Sequence, residues 1–159
     1  MRNLLYLGLG LMLVACTKKA AEVQDISAPS PMRCAPQLSD ADWYSQNTPA
    51  PLFKGFDLLN YPITTKNPDA QKYFNQGLLL AYAFNHAEAA RSFFHATRLD
   101  STCAMCHWGY AFVLGPNYNA GMDPGHYERA FAAMEKANAN AASCTPKEKA
   151  LINAMTLRY

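Results

Sequence analysis

The chain has 159 residues, half of them apolar, 12% aromatic and 16% charged, with a formal net charge of +2 and five cysteines. That is enough apolar material for one compact core, and it excludes wholesale disorder. Fourteen Lys and Arg stand against twelve Asp and Glu with no run of like charge, which excludes a protein that binds nucleic acid through a basic surface.

Residues 1–15 have the form of a signal peptide, with Arg2 near the start and then the twelve-residue run LLYLGLGLMLVA from Leu4 to Ala15. A membrane-spanning helix needs about twenty such residues, so the run is too short to be an anchor helix. It ends in Leu13-Val14-Ala15-Cys16, which resembles the lipobox of bacterial lipoproteins. The resemblance implies cleavage before Cys16 and acylation of that cysteine, with palmitate among the chains. Several acyl chains hold a protein to a bilayer where one would not. It places the chain in the bacterial envelope, facing the periplasm, and Thr17 in place of an Asp favours the outer membrane. The plainer alternative is an ordinary signal peptide followed by an incidental cysteine.

Residues 16–66 carry six of the ten prolines and no sustained apolar period. This is the composition of a tether, extended where proline is dense. Trp43, Tyr44, Leu52, Phe53, Phe56, Leu58 and Leu59 are too apolar for a spacer, so about 42 to 62 is expected to pack on the domain that follows.

The period becomes helical after Pro68, with Tyr73, Gly77, Leu80, Ala81 and Phe84 on one face. Asn85-His86 interrupts it, and Ala89, Phe93 and Ala96 share a face of a second helix from about Ala87 to Leu99. The two form a hairpin in which Gly77, Ala89 and Ala96 let the backbones approach while Tyr73, Leu80 and Phe93 fill the space between them. A second pair is expected from about Thr102 to Leu114, with Ala111 as its small residue, and around Tyr127, Ala130, Met134 and Ala137. Gly115 to Gly121 forms a loop between its two helices. Thr145-Pro146-Lys147-Glu148 reads as a capping box with Pro at the first helical position. Ala150, Leu151, Ala154 and Met155 then form an apolar stripe. The fold class is all-α.

The spacing of Tyr73, Gly77, Leu80, Ala89, Phe93 and Ala96 resembles the tetratricopeptide repeat, whose period is about 34 residues. Ala111, Ala130 and Ala137 carry the resemblance into the second copy. It covers about 68 to 159 and departs at Gln76, where the repeat prefers Leu, and at Ser101 and Ala142, where it prefers Pro. The stretches from Tyr73 to Gly77, Phe84 to Ala89 and Trp108 to Asn119 are similar to a group of exported bacterial tetratricopeptide proteins that are commonly several times longer. The resemblance implies a short solenoid of helix hairpins over 67–159, about two and a half units. It also implies either a truncated copy or a partner covering the last helix. The function it implies is a scaffold that docks another envelope protein or peptide.

Cys103-Ala104-Met105-Cys106-His107 matches Cys-x-x-Cys-His, the attachment sequence of c-type haem. On a helix, positions i, i+3 and i+4 share a face, so both sulfurs and the imidazole can meet one macrocycle. The alternative function is therefore an electron-transfer lipoprotein with covalent haem on Cys103 and Cys106 and His107 as axial ligand. Met122 or His126 would take the second axial position, with His86 and His95 behind them. Against it, His107 falls at the aromatic position of the repeat, where a ring fills space. A redox dithiol and a zinc site with Cys144 as further ligand stay open, as do disulfides such as Cys103 with Cys106 and Cys34 with Cys144.

His86 and His95 are expected at the surface. Tyr118, Tyr127 and Asn117 to Asn119 are either a ligand surface or an ordered turn. No Ser-His-Asp order, phosphate-binding Gly-rich loop or paired carboxylate set appears, so the sequence favours a protein that is not an enzyme.

Overall fold

The structure is a computed structural model that describes residues 40–46, 48–56 and 58–159. The signal peptide, Cys16, Cys34 and the first half of the tether lie outside the described residues. Among the described residues there is no strand, and the regular structure consists of six α-helices and two single-turn 3-10 helices, Pro124–His126 and Ala141–Ser143. The α-helices are α1 (Asp40–Ser45), α2 (Pro68–Tyr82), α3 (His86–Leu99), α4 (Ala104–Leu114), α5 (Tyr127–Asn140) and α6 (Pro146–Thr156). None is long and apolar enough to cross a membrane.

Local signals set the helix starts. Asn67 caps α2 by accepting from the N–H groups of Asp69 and Ala70, with Pro68 at the first position. Thr145 and Glu148 form the expected capping box of α6. The Asn67 side chain also donates to Leu99 O at 3.0 Å, which ties the start of α2 to the end of α3 and closes the first hairpin. Inside that hairpin Phe74 and Phe93 meet at 5.4 Å with their planes at 65°.

Phe93 also explains two glycines. A Cβ on Gly77 would lie 2.9 Å from its ring, and one on Gly109 of α4 would lie 2.5 Å away. The ring is thus gripped between α2 and α4, and α4 approaches only because Gly109 has no side chain. Ala89, Ala96, Ala111, Ala130 and Ala137 are fully buried and Leu80 nearly so, as the helical period requires. Tyr73 is half-buried, its hydroxyl donating to Ala50 O at 2.8 Å.

Two expectations change. The short helix α1 forms where no helical period was legible. Trp43 and Tyr44 seat it against Phe94 of α3 with ring centroids 6.3 and 4.9 Å away, and Tyr44 also meets Tyr110 of α4. In α6 the buried residues are Glu148, Ile152 and Met155, whereas Ala150 and Ala154 are exposed. Trp108 donates its indole N–H to Leu151 O at 3.0 Å, fixing α6 on α4 by a rotation that differs from the expected stripe.

Residues 48–56 and 58–66 run across α2 as an irregular strap. An irregular segment must still pair its backbone groups, and here amide side chains of α2 do so. Gln76 accepts from Phe53 N at 2.7 Å and donates to Pro51 O at 2.9 Å, while Gln71 accepts from Ile63 N and donates to Tyr61 O, both at 2.9 Å. Asn75 accepts from Tyr61 N at 3.2 Å. Gln76 is buried and also reaches Ser92 Oγ at 3.0 Å, so the residue that departs from the repeat pattern is the one that holds the strap.

The turn from α2 to α3 holds one backbone outlier. Phe84 has φ 60°, with Phe84 N–H on Ala81 O at 3.2 Å and Asn85 N–H on Leu80 O at 2.9 Å. This is the left-handed closing turn that glycine usually makes, and a bulky residue there costs about 1–3 kcal/mol.

Candidate functional site

The Cys-x-x-Cys-His motif sits at the start of α4. Cys103 is the N-cap, and its Sγ accepts from Cys106 N–H at 3.2 Å. The Cys106 thiol, donating to Cys103, makes Cys103 the more acidic of the pair. The hydrogen bond from Cys106 lowers its pKa, burial opposes this, and the Cys106 backbone N–H adds to the lowering. Cys106 moves the other way, because it donates to Cys103 and lies out of water. Both are free thiols, as is Cys144, whose pKa is raised by burial and then by Glu148 and Cys103.

His107 follows one position after Cys106 and is also buried. Its Nε2 lies 2.9 Å from Ser101 O. A carbonyl only accepts, so Nε2 carries the proton in this contact. Burial lowers the pKa of His107, and the Ser101 bond only partly offsets this.

The residues as packed do not fit a covalent haem. Both sulfurs would have to reach the vinyl groups of a flat macrocycle, yet Cys103 is 2% exposed and Cys106 0%. Met105 and Ala104, between them, are equally enclosed. The cavity beside His107 is about 300 Å³ and is bordered by Tyr44, Phe94, Tyr110, Arg129 and Lys136, with neither cysteine in its wall. That volume is at the lower limit for a drug-sized ligand. Met122 and His126, in the loop and turn before α5, are half-buried and do not border it either.

The remaining candidates separate in the same way. Among the described residues, no three His, Cys, Asp or Glu side chains converge to hold a metal, which leaves Cys103, Cys106, His107 and Cys144 without the geometry of a zinc site. His95 is not a surface residue. It is 8% exposed and its ring meets Tyr73 edge-on at 4.5 Å. Burial and then Arg98 lower its pKa. The period places His95 toward solvent on its own helix, but Tyr73 of α2 covers it.

Sequence reasoning missed two polar anchors. Glu148, read only as a capping residue, accepts from Thr64 N at 2.6 Å and Thr64 Oγ1 at 2.7 Å as well as from Thr145. Burial alone would raise its pKa, but the Thr64 and Thr145 donors outweigh it and hold the carboxyl below its ordinary value. Asp100 does the same for Thr65 and Lys66 N–H at 2.6 and 3.1 Å. Burial opposes, and the Thr65, Thr102 and Lys66 donors win, lowering its pKa too. Two acids far apart in sequence thus anchor the end of the strap, and only their contacts with Thr64, Thr65 and Lys66 reveal it.

Along the strap, Leu52, Phe53, Phe56 and Leu59 border an open cavity of about 530 Å³ with Lys72 and Asn75 of α2. Lys72 is ion-paired to Asp69 at 2.8 Å on the exposed face. Compared with family models, curated proteins and solved structures, the chain matches none.

Proposed function

We propose that the chain is a membrane-anchored scaffold of the bacterial envelope: a short stack of helix hairpins resembling tetratricopeptide repeats, held by acyl chains on Cys16 and docking an extended segment of another envelope protein. The observation that carries this reading is how α2 treats the strap. Gln71, Asn75 and Gln76 bind five backbone groups of an irregular segment through side-chain amides. A helix face that pairs the main chain of an irregular segment recognises polypeptide with little dependence on its side chains.

The reading has two parts with separate tests. For the anchor, cells grown with an alkyne fatty acid are expected to label the wild-type chain and not Cys16→Ser, which would appear in the soluble envelope fraction. A labelled Cys16→Ser chain would remove the anchor. For docking, a photoreactive residue at the half-exposed Phe131 of α5 or at the exposed Leu157 is expected to give one discrete adduct in intact cells. No adduct at either position would overturn the scaffold reading.

A further inference from the structure

Where the α2–α3 turn meets the loop after α4, a cavity of about 260 Å³ is bordered by Tyr82, Phe84, His86, Phe112, Asn117 and Tyr118. We propose that this cavity binds one sugar ring of a neutral saccharide. The inference does not rest on the docking reading.

Three observations converge there. The first is unspent aromatic surface. Tyr82 is 73% exposed, Phe84 62% and Tyr118 98%, so three rings stand in water within one pocket wall. Single exposed apolar residues are ordinary, but a cluster marks a contact surface. The second is Phe84 itself, a bulky residue held at φ 60° although it stays 62% exposed. Backbone strain of this kind concentrates at binding sites. The third is the imidazole of His86, which borders the cavity and meets the Phe84 ring edge-on at 6.0 Å, so that the ring positions are set by one another.

The chemistry of the wall selects the ligand. None of its lining residues is Asp, Glu, Lys or Arg, so no charged side chain in its wall would offset the dehydration of an ion. Nucleotides and acidic peptides are disfavoured for that reason, because their phosphates or carboxylates need cations. A pyranose matches what remains. One face of the ring is a plate of C–H bonds that lies on aromatic rings, and the hydroxyls at its edge both donate and accept. The exposed Tyr118 hydroxyl can pair with those hydroxyls. Asn117 is held for this by its own turn. Its Oδ1 accepts from Asn119 N and Ala120 N at 2.9 and 3.1 Å, which leaves the amide N–H groups to donate outward. The loop is also fixed from behind, with Arg158 donating to Pro116 O and Tyr159 to Ala111 O at 2.7 Å. A proline-rich peptide would also seek aromatic walls, but it needs a groove that follows an extended helix, and a pocket of this volume closes around one ring.

The test is titration of the full-length chain in detergent with chitotriose, cellotriose and maltotriose, followed by amide NMR shifts and calorimetry. At least one trisaccharide should shift residues 82–86 and 112–119 together. Tyr118→Ala should weaken that binding about tenfold with an unchanged melting temperature. Phe84→Gly is the sharper variant, because it removes the ring and relieves the turn. It should bind about tenfold more weakly while melting at the same or a higher temperature. Phe131→Ala, on α5, should bind as the wild type does. No shift with any of the three sugars would overturn the proposal, as would a proline-rich decapeptide shifting these residues in their place. A Phe84→Gly chain that melts lower and binds normally would overturn it too.

Discussion

At the N-terminal end of α4, Cys103, Cys106 and His107 are buried and their polar atoms are engaged, by the Cys106 N–H and by Ser101 O. At its C-terminal end, Tyr82, Phe84 and Tyr118 are exposed and His86 Nε2 has no partner. The first end carries the most conspicuous motif in the sequence and behaves as packing. The second is assembled from residues up to 36 positions apart with no motif between them, and it holds the unspent binding capacity. A spacing pattern reports what residue types permit. Burial and satisfaction report what is still available to a ligand.

The largest effect that would break this contrast lies in the core beneath both ends. Phe93→Ala should cost about 3–5 kcal/mol, and Gly109→Ala about 1–3 kcal/mol, because each undoes the close fit of α4 against α3. Urea unfolding followed by far-ultraviolet circular dichroism measures both, and a neutral Gly109→Ala would mean that α4 is not packed on Phe93.

Next comes the strap. Gln76→Leu restores the residue the repeat pattern prefers, yet it leaves Pro51 O, Phe53 N and Ser92 Oγ without this partner. A loss of about 1–3 kcal/mol is expected from the same unfolding curves. A gain in stability would show that the strap is not held by α2.

The packed end should also be sensitive to acid. His95 and His107 have pKa values depressed below 6.5 in the folded chain, so protonation favours unfolding. Their contribution is complete above that value and is lost as pH falls below it. Asp100 and Glu148, lowered from 3.8 and 4.5, contribute in the same sense and lose it at lower pH still. The melting temperature should therefore fall steadily from neutral to acidic buffer, and a rise on acidification would contradict the packing described.

The smallest effect separates capping from cofactor chemistry. Cys103→Ala should cost about 1 kcal/mol as a lost N-cap, and Cys103→Ser less, since serine caps well. Neither should change visible absorbance in cells that attach haem. A Soret band lost in Cys103→Ser would restore the haem reading at the expense of the packing.

Much of the fold was legible because its causes are local. Pro68 at the start of the first helical period, the Thr145–Glu148 box and the spacing of Ala89, Phe93 and Ala96 act within one or two turns of helix. Gly109 was passed over because the need for it lies in a ring sixteen residues earlier, on another helix. His95 was misplaced because Tyr73, on α2, covers it. The rotation of α6 was missed because Trp108 sets it from α4. The aromatic pocket was half visible, since Tyr118 and Asn117 to Asn119 stood out as either a ligand surface or a turn. Phe84 and His86 could join them only once the two hairpins were side by side.

The sequence alone determined the helical class, most of the helix starts and which small residues would lie between helices. These follow from capping chemistry and a 3.6-residue period, which depend on neighbours along the chain. Tertiary structure alone decided that the Cys-x-x-Cys-His motif faces inward, that Gln76 and Glu148 hold a strap, and that an unpaired histidine shares a pocket wall with three exposed rings. Each of these depends on which surfaces meet across long sequence separations, and a buried or an unpaired group is defined only by its neighbours in space.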